Sequence, residues 1–222
     1  MPTIYEQLKE IAELAKIPMK SEQETKRVEI IMLKYKESPE IIDEAIQRII
    51  HLTDYPFKLT VYDNRPNSAN TSRIWNKLVA DSTCDYVLII DSDAYVPNTE
   101  PCWLTKMMES IDETGIVIPV SDAPGGSQQR VNAPEVGTVL NKGAWSGYCF
   151  LFKKSVWEKN KFDERFYIYG QDSEWAIRTG GAIMRKDVLV KHLGGASFNS
   201  DPLRNADKTY ARALFQKLCT RK

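Results

Sequence analysis

Asp85-Tyr86-Val87-Leu88-Ile89-Ile90-Asp91-Ser92-Asp93 is the stretch on which the fold turns. Its unbroken apolar centre is short and rich in branched side chains, the pattern of a strand covered on both faces. Two carboxylates, one residue apart, follow directly. Working back, Val28–Leu33 and Phe57–Tyr62 read as two further strands, the second ending in Asp63-Asn64. Helices separate them. Ser38-Pro39 is a start signal, a cap residue followed by a proline whose missing N–H costs nothing there, and that helix runs to about His51. A second helix runs from about Thr71 to Ala80. The order strand–helix–strand–helix–strand predicts an α/β domain of parallel βαβ units. In such sheets ligands bind beyond the carboxyl ends of the strands. Tyr35, Asp63-Asn64 and Asp91-Ser92-Asp93 all fall at or just past such ends.

The second half is less regular. A helix is expected over Leu104–Glu113, a strand over Gly115–Val120 and a long loop over 121–144. Loops of that length in a compact domain are uncommon and often functional. Gly147–Phe152 reads as a strand, Lys154–Lys159 as a short helix, Asp172–Thr179 as a helix and Val188–His192 as a short strand. A helix is expected over Asp207–Leu218. Upstream of the sheet, Ile4, Leu8, Ile11, Leu14 and Ile17 recur at helical spacing after a Thr3/Glu6 capping box. The expected organisation is therefore a helical arm over 1–27, one α/β domain over 28–200 and a helical tail over 201–222. The arm's apolar face fits docking on the core, or a dimer or partner contact.

Bulk properties narrow the class. The 222 residues carry 30 Lys+Arg against 30 Asp+Glu, unlike a strongly basic nucleic-acid binder. No apolar run is long enough to cross a bilayer, and the first residues lack a basic segment followed by an apolar one. Cys84, Cys102, Cys149 and Cys219 are widely spaced, with neither a zinc pattern nor a disulfide framework. Reduced thiols in a cytoplasmic protein are expected.

The chemistry begins with Asp91-Ser92-Asp93. Adjacent carboxylates repel, and a divalent cation relieves this while bridging to a diphosphate; taken alone, the tripeptide is better explained as a solvated turn. In context, the chain from about Val28 to Phe198 resembles the family-2 glycosyltransferases. Thr60-Val61-Tyr62-Asp63-Asn64-Arg65-Pro66-Asn67-Ser68 is similar to the family's base-reading strand end. Ala144-Trp145-Ser146-Gly147-Tyr148-Cys149-Phe150 is similar to its Gly-containing strand. Tyr169-Gly170-Gln171-Asp172-Ser173-Glu174 is similar to its Gly-Glu-Asp segment, and Val190-Lys191-His192-Leu193-Gly194 to its His-containing strand end.

That resemblance implies a GT-A fold, a Rossmann-like three-layer α/β/α domain around a mostly parallel sheet. It implies sugar transfer from a nucleotide-sugar donor, a UDP-sugar first among them, to an acceptor hydroxyl, with inversion and with Mn2+ or Mg2+. Asp172 corresponds to the catalytic base, although an Asp at a helix start also serves as a cap. Asp91, Asp93 and His192 correspond to metal ligands, with a structural histidine as the alternative for His192. Tyr35, Asp63, Asn64, Arg65, Asp91, Ser92 and Asp93 are expected on the donor. Trp145, Gly147, Gln171 and Glu174 are expected on the acceptor, a glycan or another hydroxyl-bearing molecule. The chain departs from the family at Lys34-Tyr35-Lys36, where Thr-x-Asn is usual, and at Gln171, where Glu is usual. Those departures leave open a degenerate member that binds nucleotide or sugar without turnover. A nucleotidyltransferase is the other alternative, but a Gly-rich basic signature after the first strand is missing.

Overall fold

The computed structural model describes residues 27–64, 70–124, 127–194 and 202–219. The expected N-terminal helix and Arg65 lie outside them. Along β3 (Tyr86–Asp91), side chains alternate between two apolar faces. Val87 and Ile89 enter one buried cluster, Leu88 and Ile90 the other. In β1 (Val28–Lys34), Ile30 and Met32 divide from Ile31 in the same way. β1 pairs in parallel with β3 and with β2 (Phe57–Asp63), setting Ile30 level with Leu59 and Leu88.

A sheet that is apolar on both faces must be covered on both. On the first face, α1 (Pro39–Leu52) packs Ala45 and Ile49. α3 (Trp103–Glu109) adds Trp103 and Met107, and α4 (Ile111–Thr114) adds Ile111. On the second, α2 (Thr71–Asp81) packs Trp75 and Val79. α5 (Lys154–Lys159) adds Trp157, and α6 (Gln171–Thr179) adds Trp175 and Ala176. Burying an aromatic of this size stabilises the fold strongly, and Trp175→Ala would cost about 3–5 kcal/mol. The C-terminal helix is α7 (Pro202–Cys219).

The remaining strands are β4 (Ala94–Tyr95), β5 (Ile116–Ser121), β6 (Thr138–Asn141), β7 (Cys149–Lys153) and β8 (Ala182–His192). The sheet order is β2-β1-β3-β7-β5-β8-β4, with β6 also on β8. β7 runs against both β3 and β5, while β5 and β8 are parallel. β1, β2, β3, β5 and β8 therefore share one direction. Their carboxyl ends and the start of β7 meet at one edge, which gathers Tyr35, Asp91, Tyr148 and His192.

Several elements differ from the sequence expectation, the C-terminal helix by starting at Pro202 rather than about Asp207. The helix expected over Leu104–Glu113 breaks at Ser110 (φ −104°, ψ 0°). Arg185 Nη1 takes the Lys106 carbonyl at 2.6 Å, and the Ser110 N–H turns to Met107 instead. β8 begins six residues early, because Arg185-Lys186-Asp187 hides it: Arg185 pairs with Asp187 and Glu109, and Lys186 with Glu135. β6 lies inside the expected 121–144 loop. Three of its four residues are exposed, so it leaves no amphipathic alternation to read. β4 is only two residues long.

Candidate active site

β3 ends at Asp91, and a tight turn through Ser92 and Asp93 leads into β4. β4 pairs with the end of β8, which sets Ala94 opposite His192. This pairing brings the imidazole to the carboxylates: His192 Nε2 lies 3.2 Å from Asp93 Oδ1 and 3.8 Å from Asp91 Oδ2. One ligand atom from each of the three falls within 4.8 Å of the others. His192 Nδ1 lies 3.1 Å from the Ala123 carbonyl. Donation there leaves the Nε2 lone pair for a cation once the other proton has gone, the usual outer-shell support of a ligating imidazole. Two carboxylates and an imidazole suit a Mn2+-like ion, and the trio fits one.

The three groups of the trio perturb one another's proton affinity. Withdrawal from bulk water and the neighbouring Asp93 charge push Asp91 up to about 7, against the pull of His192. Burial draws His192 down. The hydrogen bond to Asp93 and the charges of Asp91 and Asp93 outweigh it and raise the imidazole overall.

Asp172 faces the trio from α6. Gly170 turns the chain in the left-handed region (φ 83°), which glycine tolerates, and α6 begins directly after it. Asp172 Oδ1 accepts the Ser173 N–H (2.7 Å), and Oδ2 accepts the Gly147 N–H (2.6 Å). Burial raises the carboxyl above its usual range, and these backbone N–H groups partly offset that. Gly170, not Asp172, holds the cap position; Asp172 satisfies one N–H of the first helical turn, and its two backbone bonds fix the carboxylate, which is compatible with the base reading.

Three consecutive residues join the two halves of the site. Ser146 N donates to Gln129 Oε1 (2.6 Å), and Gly147 N holds Asp172. Tyr148 stacks its ring on His192 with centroids 5.0 Å apart. The Tyr148 carbonyl also accepts the Asp91 N–H at 2.8 Å. Gln129 is buried and donates from Nε2 to the Pro119 carbonyl and to Tyr148 Oη. It therefore braces both flanks of Gly147. Sequence reading missed it, because nothing marks it within the 121–144 loop.

A cleft of about 660 Å³ runs between these walls. Tyr35, Asn64, Asp91, Ser92, Asp93, Trp145, Gly147, Gln171, Asp172 and His192, all expected site residues, line it. Glu37 does too, and was not anticipated; its signal was a carboxylate three residues past a strand end. Its Oε2 accepts from Ser92 Oγ (2.9 Å) and from Tyr35 N (3.0 Å), tying the ends of β1 and β3 together.

The remaining expected residues are placed differently. Glu174 is absent from the wall: Arg178, one turn on, grips it at 2.7 and 2.9 Å. Trp145 is 2% exposed and packs on Phe150 and Trp175, so it backs the wall rather than offering a stacking face. Asp63 stands exposed at the last position of β2, off the described wall. Gln171 is buried at the wall, and its Oε1 lacks a hydrogen-bond partner among the described residues.

Comparison with known proteins bears on the family and the fold. The family model for glycosyl transferase family 2 matches residues 21–193. The crystal structure of GalNAc-T7 with UDP, GalNAc and Mn2+ superposes with a TM-score of 0.59 at 11% identity. That match covers 77% of this chain and 44% of GalNAc-T7, so the chain spans less than half of that structure. S. aureus TarS 1–349 gives a TM-score of 0.55 at 14% identity, covering 83% of this chain and 69% of TarS. At those identities the likeness is one of fold. No curated protein sequence matches the chain. Most of the sequence lies under the family model and the sheet is the one these glycosyltransferases share, so the chain belongs to glycosyl transferase family 2 and has the GT-A fold.

Proposed function

We propose that this protein transfers a sugar from a nucleotide-sugar donor to an acceptor hydroxyl, with inversion, and that the reaction depends on a divalent metal. One observation carries the reading: a trio that fits a cation and a half-buried carboxylate held by backbone N–H groups line the same cleft. Asp91, Asp93 and His192 would hold Mn2+ or Mg2+, which when bound offsets charge on the diphosphate leaving group. Asp172 takes the proton of the acceptor hydroxyl as that oxygen attacks the anomeric carbon and the bond to the diphosphate breaks. Its raised pKa makes it a stronger acceptor for that proton than an ordinary aspartate. Tyr35, Glu37, Asn64 and Ser92 line the end of the cleft formed by β1, β2 and β3, the side expected for the nucleoside. Asp63 and Arg65 belong to the same expected donor set. The UDP and Mn2+ of the GalNAc-T7 crystal make a UDP-sugar and Mn2+ the first pair to try.

The test is release of nucleoside diphosphate from a panel of UDP-, GDP-, TDP- and CDP-sugars, with Mn2+ and with a chelator. Release from one donor class that needs metal and is lost in Asp93→Ala supports the reading. Metal-independent release, or none from any donor while nucleotide still binds, would overturn it in favour of another mechanism or a binding role.

A further inference from the structure

The family model stops at residue 193, but the cleft wall continues beyond it. α7 adds Lys208 to that wall. Its docking is specific. Asp207 Oδ2 accepts the backbone N–H groups of Ile168 (3.1 Å) and Tyr169 (3.0 Å), just before Gly170 and the base-bearing helix α6. One turn on, Ala211 is buried, with its Cβ 3.7 Å from where a Gly170 Cβ would lie. Asp207 and Ala211 share a helix face four residues apart. α2 pins the same loop from its other side, through Ser72 Oγ to the Phe166 carbonyl and Thr71 N to the Tyr167 carbonyl, both at 2.7 Å. Lys208 thus leaves a helix whose position is fixed, and its Nζ lies 5.4 Å from the centre of the Tyr169 ring.

Charge gives this placement a purpose. The cleft wall carries four carboxylates: Glu37, Asp91, Asp93 and Asp172. A divalent ion at the trio offsets two of them. A nucleoside diphosphate adds two or more negative charges, and more as it departs. Among the described wall residues the lysine and arginine cations are Lys208 and Arg130, and Arg130 is exposed on the loop after β5. A lysine meets phosphate oxygens as a compact point charge on a flexible stem.

We propose that Lys208 binds an anionic phosphoryl oxygen of the substrate, and that α7 is part of the active site as the element that delivers it. This rests on the glycosyl-transfer reading. Two sources share that chemistry: the donor diphosphate and a phosphate borne by the acceptor.

Calorimetric titrations of wild type and Lys208→Gln separate them. The probes are the nucleoside diphosphates UDP, GDP, TDP and CDP with Mn2+, the matching nucleoside, and inorganic phosphate added to the nucleoside-diphosphate-loaded protein. A loss of about tenfold or more in nucleoside diphosphate affinity in Lys208→Gln, with nucleoside affinity unchanged, assigns the contact to the donor. Unchanged nucleoside diphosphate affinity with loss of the phosphate site in the loaded protein assigns it to the acceptor. Equal behaviour of the two proteins with every probe overturns the proposal and leaves the donor reading intact. Failure of wild type to bind any nucleoside diphosphate overturns both.

Discussion

Asp172 owes its position to a missing side chain. The Gly147 N–H meets Asp172 Oδ2 at 2.6 Å, and a Cβ built on Gly147 would lie 2.6 Å from Asp172 Cβ and 3.0 Å from Oδ2. Because the obstructing atom is a Cβ, rotating the carboxylate away cannot relieve the clash; α6 or the β7 approach has to shift. Gly147→Ala should cost about 1–3 kcal/mol of stability, the usual range for overpacking. It should also lower kcat at least tenfold, because a small misplacement of a reacting group is expensive. Chemical denaturation and steady-state kinetics on one preparation check this, and wild-type kcat in a stable Gly147→Ala protein would contradict it.

Asp172→Asn keeps size and acceptor capacity on one oxygen but cannot take a proton. We expect transfer to fall by about 10²–10⁴-fold, with nucleotide and metal affinity unchanged. The wild-type profile carries a second signature. Burial raises the Asp172 pKa, and on the proposed mechanism it acts only when deprotonated. Activity should therefore decline on acidification at a pH above the ordinary aspartate range. An acidic limb at or below that range would argue that Asp172 is structural and nothing more.

Gln129 is positioned to couple the metal side to the base side. Gln129→Met preserves bulk and removes the bonds to Ser146 N, Tyr148 Oη and the Pro119 carbonyl. Two readouts should move together: weaker Mn2+ binding, through Tyr148 and His192, and lower kcat, through Gly147 and Asp172. A purely structural role would lower melting temperature alone. Gln129→Glu keeps the acceptor for Ser146 N and should recover part of the loss in kcat.

Metal affinity should depend on pH in a direction the trio dictates. The imidazole must lose its Nε2 proton, and the carboxylates must be ionised, before they can ligate. With Asp91 pushed up to about 7 and His192 raised, protons compete with the ion near neutrality. Mn2+ should bind more tightly at pH 8 than at pH 6, with proton release on binding. Calorimetry in buffers of different ionisation enthalpy measures both; affinity independent of pH across that interval would contradict the assignment.

The sequence carried the frame of the site further than its lining. Tyr86–Ile90 and Val28–Leu33 read as doubly covered strands because their apolar runs are unbroken, and that sets Asp91 and Asp93 at a strand's carboxyl end. His192 and Asp172 were legible only through the order of motifs, since alone each fits a bland structural role. Gln129 and Glu37 act through buried polar bonds between segments far apart in the chain, which no local pattern encodes. Trp145 and Glu174 show the opposite case: their residue types suit sugar binding, while packing on Phe150 and pairing with Arg178, which sequence does not encode, set their surroundings. β6 and the early part of β8 escaped because exposed positions and the Arg185–Asp187 pair mask their alternation.

The central claim is a nucleotide site completed by metal at Asp91, Asp93 and His192. Thermal-shift titrations of wild type and Asp93→Ala with UDP, GDP, TDP and CDP, each with and without Mn2+, test it most directly. At about 100 times its dissociation constant a ligand stabilises the fold by about 2.7 kcal/mol, a readily measured shift. The account predicts one nucleotide that stabilises wild type only with Mn2+ and leaves Asp93→Ala unmoved. Stabilisation that is equal in the two proteins, or that needs no metal, would contradict it.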